Sequence, residues 1–121
     1  FNHALKKEPN SPEIYVYRGI AKGLLGRGRN IIRGSNPIED YTKAIELNPG
    51  YADAYYNRAN AYYQNSLIYQ NMKNNNKANQ ELLKAIKDLR KAGELYQQGG
   101  RLKAYQDTLN LIKKLRNFLL V

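Results

Sequence analysis

Apolar side chains return every three or four residues through most of this chain, and the breaks between those stretches fall on Pro, Gly and Asn. The first clear run, about 12–25, puts Ile14, Tyr15, the stem of Arg18, Ala21 and Leu25 on one stripe, the period of an amphipathic helix. Ser11-Pro12-Glu13 supplies its start: a capping hydroxyl, a proline at the first helical position and an acid in the first turn. Gly26-Arg27-Gly28-Arg29-Asn30 ends it. Asn36-Pro37-Ile38-Glu39 opens a second helix, with an N-cap, a first-position proline and a glutamate at the capping-box position. That helix carries Ile38, Tyr41, Ala44, Ile45 and Leu47 and stops at Asn48-Pro49-Gly50. A third starts near Ala52 and meets no strong breaker before the Asn-rich stretch 71–77. A fourth repeats Leu82, Leu83, Ile86, Leu89, Ala92 and Leu95 up to Gly99-Gly100; a fifth, about 101–119, aligns Leu102, Tyr105, Leu109, Ile112, Leu115 and Leu119. No stretch alternates convincingly with period two, so the chain reads as all-α.

The chain also resembles itself at an offset of 40 residues: Ala4, Pro9, Tyr15, Arg18 and Ala21 recur as Ala44, Pro49, Tyr55, Arg58 and Ala61. Phe1, Leu5, Glu13 and Gly19 return conservatively as Tyr41, Ile45, Asp53 and Ala59. A fixed period of this size marks a stacked array whose units bury their apolar faces only against neighbours. Residues 1–7 read as the tail of a preceding helix closed by Pro9. Because the chain opens at Phe1 and not Met, it is expected to be a fragment, with any targeting segment upstream and a cytoplasmic setting favoured.

Proline, five residues, an aromatic, two residues, Arg and a small residue together resemble the tetratricopeptide repeat, a 34-residue helix–turn–helix. Tyr15 and Tyr55 match its early aromatic, Gly19 and Ala59 the small residue that lets paired helices close up, and Tyr62 its second aromatic, where the earlier unit has Lys22. Tyr41 and Leu89, Ala44 and Ala92, Ala85 and Pro49 match positions of the second helix. The resemblance implies an all-α, right-handed superhelical stack of antiparallel helix pairs, a solenoid closed by a C-terminal capping helix. Within a single domain, 1–121, it implies the end of a preceding repeat (1–10), two repeats (12–51 and 52–98) and the cap (101–119). The first full repeat holds 6 residues beyond the family length, in a loop between its helices, and the second holds 14. Fourteen divides into about two extra turns on each helix, with packing register kept. Helices 52–73 and 77–97 are therefore expected to project as a hairpin with its tip near Asn74–Asn76, held by Leu67, Ile68, Leu82 and Leu83. Tyr15, Tyr41, Tyr55 and Tyr62 are expected in the core.

In this family the first helix of each repeat lines a concave groove. Carried over residue by residue, the resemblance assigns Glu13, Val16, Tyr17 and Ile20 to that groove from one repeat. From the next it assigns Asp53, Tyr56, Asn57, Asn60, Tyr63 and Gln64. Asn offers both a donor and an acceptor to a peptide backbone, and Tyr gives rigid contact area at low entropic cost. Relatives that clamp a chaperone's C-terminal carboxylate use Lys and Arg at such places; here Glu13, Val16, Ile20, Asp53 and Asn57 stand there. The implied partner is a protein or peptide, and not a strongly acidic tail.

Composition changes this picture little. Eleven Tyr against two Phe and no Trp suit half-buried rings whose hydroxyls reach a polar group. The absence of Cys excludes disulfides and thiolate metal sites, and no apolar run is long enough to span a bilayer. Net charge is +10: residues 1–60 carry 9 basic and 6 acidic side chains, net +3, and residues 61–121 carry 11 and 4, net +7. That imbalance raises one rival to a solvated basic face: anion or nucleic-acid binding through Arg27, Arg29 and Arg33 or Arg101, Lys103, Lys113, Lys114 and Arg116. A second rival, self-association through the helical ends, comes from the opening helix without a partner helix and from the apolar Phe118-Leu119-Leu120-Val121. No nucleic-acid motif accompanies the charges. Catalysis is not expected: the single His is His3, and Gly26-Arg27-Gly28 follows a helix instead of the strand a phosphate loop needs. No cofactor or metal is expected either.

Overall fold

The computed structural model describes residues 11–26 and 36–119. The expectations placed on residues 1–10, on the 27–34 loop and on Leu120-Val121 lie outside the described residues. Five helices follow in chain order: α1 Pro12–Gly26, α2 Pro37–Leu47, α3 Ala52–Asn71, α4 Asn75–Gln98 and α5 Leu102–Phe118. The described residues contain no strand.

Local chemistry sets the boundaries. Asn36 Oδ1 accepts the Ile38 N–H at 3.0 Å, and Pro37 follows at the position where no donor is needed. At the other end of α2, the Asn48 N–H donates to the Ala44 carbonyl at 2.9 Å while Asn48 Oδ1 accepts from the Gly50 N–H at 3.0 Å. This asparagine closes the helix and shapes the turn after it. The turn between α3 and α4 falls at Met72-Lys73-Asn74, with Lys73 in the left-handed region at φ 57. The hairpin tip is thus slightly earlier than expected, because Asn74 caps α4 through an Oδ1 bond from the Lys77 N–H at 3.2 Å. Asn75 and Asn76 are already helical.

Three cross-links define how α3 and α4 pair. Tyr96 meets Asp53, Asp88 meets Arg58, and Glu81 meets Asn65, so one helix ascends as the other descends. At 20 and 24 residues, these two helices exceed α1 and α2, at 15 and 11. Two apolar clusters form the interior. Val16, Tyr41, Ala44 and Ala54 join α1, α2 and α3; Ala59, Leu82, Ala85, Ile86, Leu89, Ile112 and Leu115 join α3, α4 and α5. Since α3 contributes to both, the helices stack successively, as expected of a tetratricopeptide-like solenoid. Leu82, Leu89 and Leu115 are wholly buried, each contributing roughly 1.5–3 kcal/mol.

Small residues permit the close approaches. A Cβ on Gly19 would lie 2.6 Å from Cε1 of Tyr41, so α1 reaches α2 only because position 19 has no side chain. Tyr41 is core, whereas Tyr15, Tyr55 and Tyr62 are half-buried. Tyr55 uses that position: its hydroxyl donates to the Pro49 carbonyl at 3.0 Å, bracing the α2–α3 turn. Of the side chains expected to hold the hairpin, Leu82 is buried and Leu67 half-buried, but Ile68 and Leu83 face solvent. On α5 the inward stripe narrows to Thr108, Ile112 and Leu115, leaving Leu102 69% exposed.

Ion pairs built on buried acids repeat along the stack. Arg58 forks onto Asp88 at 2.7 and 2.8 Å and also donates to Thr42 of α2 at 3.2 Å, linking three helices. The earlier pair of helices carries Arg18 and Lys22 against Asp40 Oδ2 at 3.3 and 3.0 Å. Those contacts are ionic, without hydrogen-bond alignment.

A candidate partner face on α1 and α3

α1 and α3 each present one stripe to their neighbours and another outward. On α1, Glu13 and Tyr17 are exposed, Tyr17 by 57%, and Glu13 Oε2 accepts the Ser11 hydroxyl at 3.0 Å. Ile20 is half-buried against the Val16 cluster. Val16 itself corrects the expectation. At 3% exposure it packs with Tyr41, Ala44 and Ala54, so its side chain serves the helix contact and cannot touch a ligand.

On α3, Gln64 is exposed and Asn57 and Asn60 are half-buried. Asn57 Nδ2 donates to its own helix at the Asp53 carbonyl, 2.7 Å away, which leaves Oδ1 as a free acceptor. Tyr56 and Tyr63 are only partly open. Tyr56 meets the Tyr96 ring edge-on at 6.4 Å, and Tyr63 stacks on Phe118 with ring centres 6.1 Å apart. α5 therefore walls one side of this face. It runs in the same sense as α3: Asp53 faces Arg101 near the start of both, and Tyr63 faces Phe118 further along.

Asp53 is already engaged. The Tyr96 hydroxyl donates to its Oδ1 at 2.5 Å, Arg101 Nη1 lies 3.6 Å from the same oxygen, and the Arg101 guanidinium sits 5.0 Å over the Tyr96 ring. Burial, then the bond to Asp53, raises the Tyr96 phenol well above its ordinary value. Tyr56 is raised too, by burial first and the Asp107 charge second. This corner of α3, α4 and α5 could not be read from periodicity, because Tyr96 and Arg101 belong to a different repeat half from Asp53. Two clues were visible: a Tyr near the end of a long helix, and an Arg directly after Gly99-Gly100.

The face offers amides, phenols and, in Glu13, one carboxylate without an ion pair among the described residues, a set suited to backbone and side-chain contacts of an extended segment. Among the described residues, no three His, Cys, Asp or Glu gather as a metal site would require, and no helix is long and apolar enough to cross a membrane.

No curated protein matches the chain. Residues 37–66, comprising α2, the Asn48-Pro49-Gly50 turn and most of α3, match the family model described as TPR repeat. Domains of this family are typically non-catalytic and mediate protein–protein interactions. With that match across α2 and α3 and further helices stacked on either side, the chain contains a segment similar to the TPR repeat family within an all-helical stack.

Proposed function

We propose that this chain is an interaction scaffold that holds an extended partner segment on the face formed by α1 and α3. Glu13, Tyr17, Ile20, Asn57, Asn60 and Gln64 make the primary contacts; Tyr56 and Tyr63 form the α5 side of the trough, and Asp53 fixes its end. The observation that carries the reading is the pair of half-buried amides. Asn57 keeps an unpaired acceptor, and the Asn60 side chain has no partner among the described residues. An amide half removed from water and left unpaired is costly unless a ligand completes it. Glu13 and Asp53 border the face, so the segment that fits is neutral or mildly basic. A peptide array probed with the full chain tests this. Asn57→Ala/Asn60→Ala should weaken neutral and mildly basic spots at least about fivefold, roughly the loss of one net hydrogen bond. An unchanged array pattern moves the partner off this face.

A further inference from the structure

We infer that a second face, the cleft between α4 and α5, docks an acidic segment of a partner protein. The cleft has a volume of about 330 Å³, and its lining includes Arg90 from α4 and Lys113 and Arg116 from α5. No residue of the concave-face set lines it. These three cations have no acidic partner among the described residues. Four other cations in the same half of the chain do have one: Arg101 faces Asp53, Lys103 faces Asp107, Lys91 faces Glu94 and Lys84 faces Glu81. Lys73, Lys77, Lys87 and Lys114 also lack an ion pair among the described residues, but none of them lines the cleft; what sets Arg90, Lys113 and Arg116 apart is that they share one concavity. Three unpaired like charges around one concavity repel each other and focus a positive potential, which an incoming carboxylate relieves. Arg supplies a planar fork for a carboxylate, and Lys adds a mobile point charge.

The rest of the lining favours a polypeptide over a polynucleotide. Gln106 Nε2 donates to Asn110 Oδ1 at 3.2 Å, leaving the Gln106 carbonyl and the Asn110 amide nitrogen to meet a peptide backbone. Leu109, 36% exposed at the cleft, offers an apolar contact between the charges. No aromatic ring lines the cleft, so it lacks the stacking platform that single-stranded nucleic acid uses. The partner is thus a segment in which Asp or Glu alternates with an apolar side chain. This inference stands apart from the α1–α3 reading, whose face borders on acids.

Fluorescence anisotropy with the full chain tests it, using a labelled Glu-rich peptide containing Leu, its Gln-substituted counterpart and a single-stranded oligonucleotide. Work at about 0.15 M salt limits the contribution of charges more than about 8 Å away. The Glu peptide should bind and the Gln peptide should not. Lys113→Glu/Arg116→Glu should weaken binding at least about tenfold, and Arg90→Gln several-fold. Lys43→Glu/Lys114→Glu makes the same change in net charge outside the cleft and should cost less than about threefold. Asn57→Ala/Asn60→Ala should have no effect, so failure at one face is distinguishable from failure at the other. All four reversed cations are exposed, and circular dichroism verifies that each variant keeps its helices. Equal losses in the two reversal variants, no binding of the Glu peptide, or tighter binding of the oligonucleotide would each overturn the assignment.

Discussion

Gly19 and Gly23 lie one turn apart on α1 and should respond oppositely to the same substitution. Alanine gains about 1 kcal/mol over glycine in a helix interior. At position 19 the new Cβ would meet the Tyr41 ring at 2.6 Å, and that ring, 5% exposed, has little space into which to move. Overpacking costs typically about 1–3 kcal/mol, which outweighs the propensity gain. At position 23 nothing lies within 4 Å. Urea unfolding should therefore show Gly19→Ala destabilised and Gly23→Ala unchanged or stabilised by up to about 1 kcal/mol; a more stable Gly19→Ala would refute the close α1–α2 contact. Tyr55 illustrates a different balance. Half-buried, with its hydroxyl on the Pro49 carbonyl and the Arg58 guanidinium 5.8 Å over its ring, it acts as a brace at the helix turn and not as core filling.

Between elements, the ion pairs decide registry. Arg18 and Arg58 recur at the repeat offset, and their acids follow: Asp40 lies 22 residues after Arg18, and Asp88 lies 30 after Arg58. The spacing grows by eight because the second unit is longer, yet both acids come back to the inner face of the second helix. Asp40 stands in the first turn of α2, where an acid complements the helix dipole, and the fold gives it Arg18 and Lys22 as well. Lys22, a departure from the family's aromatic, gains its explanation there. Removing one partner of a buried pair strands the other charge, so Asp88→Ala should lose about 3–5 kcal/mol. Lys103→Ala, which breaks an exposed pair with Asp107, should leave the unfolding midpoint nearly unchanged. Similar small shifts in both variants would remove the Arg58–Asp88 pair as a structural tie.

Across the whole molecule the tyrosines couple stability to alkaline pH. Burial, and secondarily the Asp40 charge, pushes the Tyr41 phenol up to about 12. Tyr51, Tyr56 and Tyr96 shift in the same direction, burial being the largest cause for each. In the unfolded chain these phenols ionise near pH ~10, so above that point the folded state binds more protons than the unfolded one. Stability contributed by Tyr41 is complete below pH ~10 and is lost as pH rises toward about 12, at up to roughly 1.4 kcal/mol per pH unit. Urea midpoints measured from about pH 9 to 12 should fall, and Tyr41→Phe should reduce the slope. Parallel profiles for the two proteins would contradict a buried Tyr41 hydroxyl.

Helix positions, the turns at Asn48-Pro49-Gly50 and Gly99-Gly100, and the small residues at 19 and 59 were legible in the sequence, because each depends on neighbours within a turn or on a period that repetition doubles. The same repetition pointed to the family. Exposure was legible only as a stripe: the period places Ile68, Leu83 and Leu102 on apolar faces, but only docking of a further helix decides which part of a stripe is covered, and these three remain in water. Val16 belongs to that class in reverse, drawn inside by Tyr41 and Ala54 from other helices. The Asp53–Tyr96–Arg101 corner and the unpaired cations of Arg90, Lys113 and Arg116 likewise join residues from separate helices. Local sequence specified the helices; long-range packing selected which side chains pair, which are buried and which stay in contact with water.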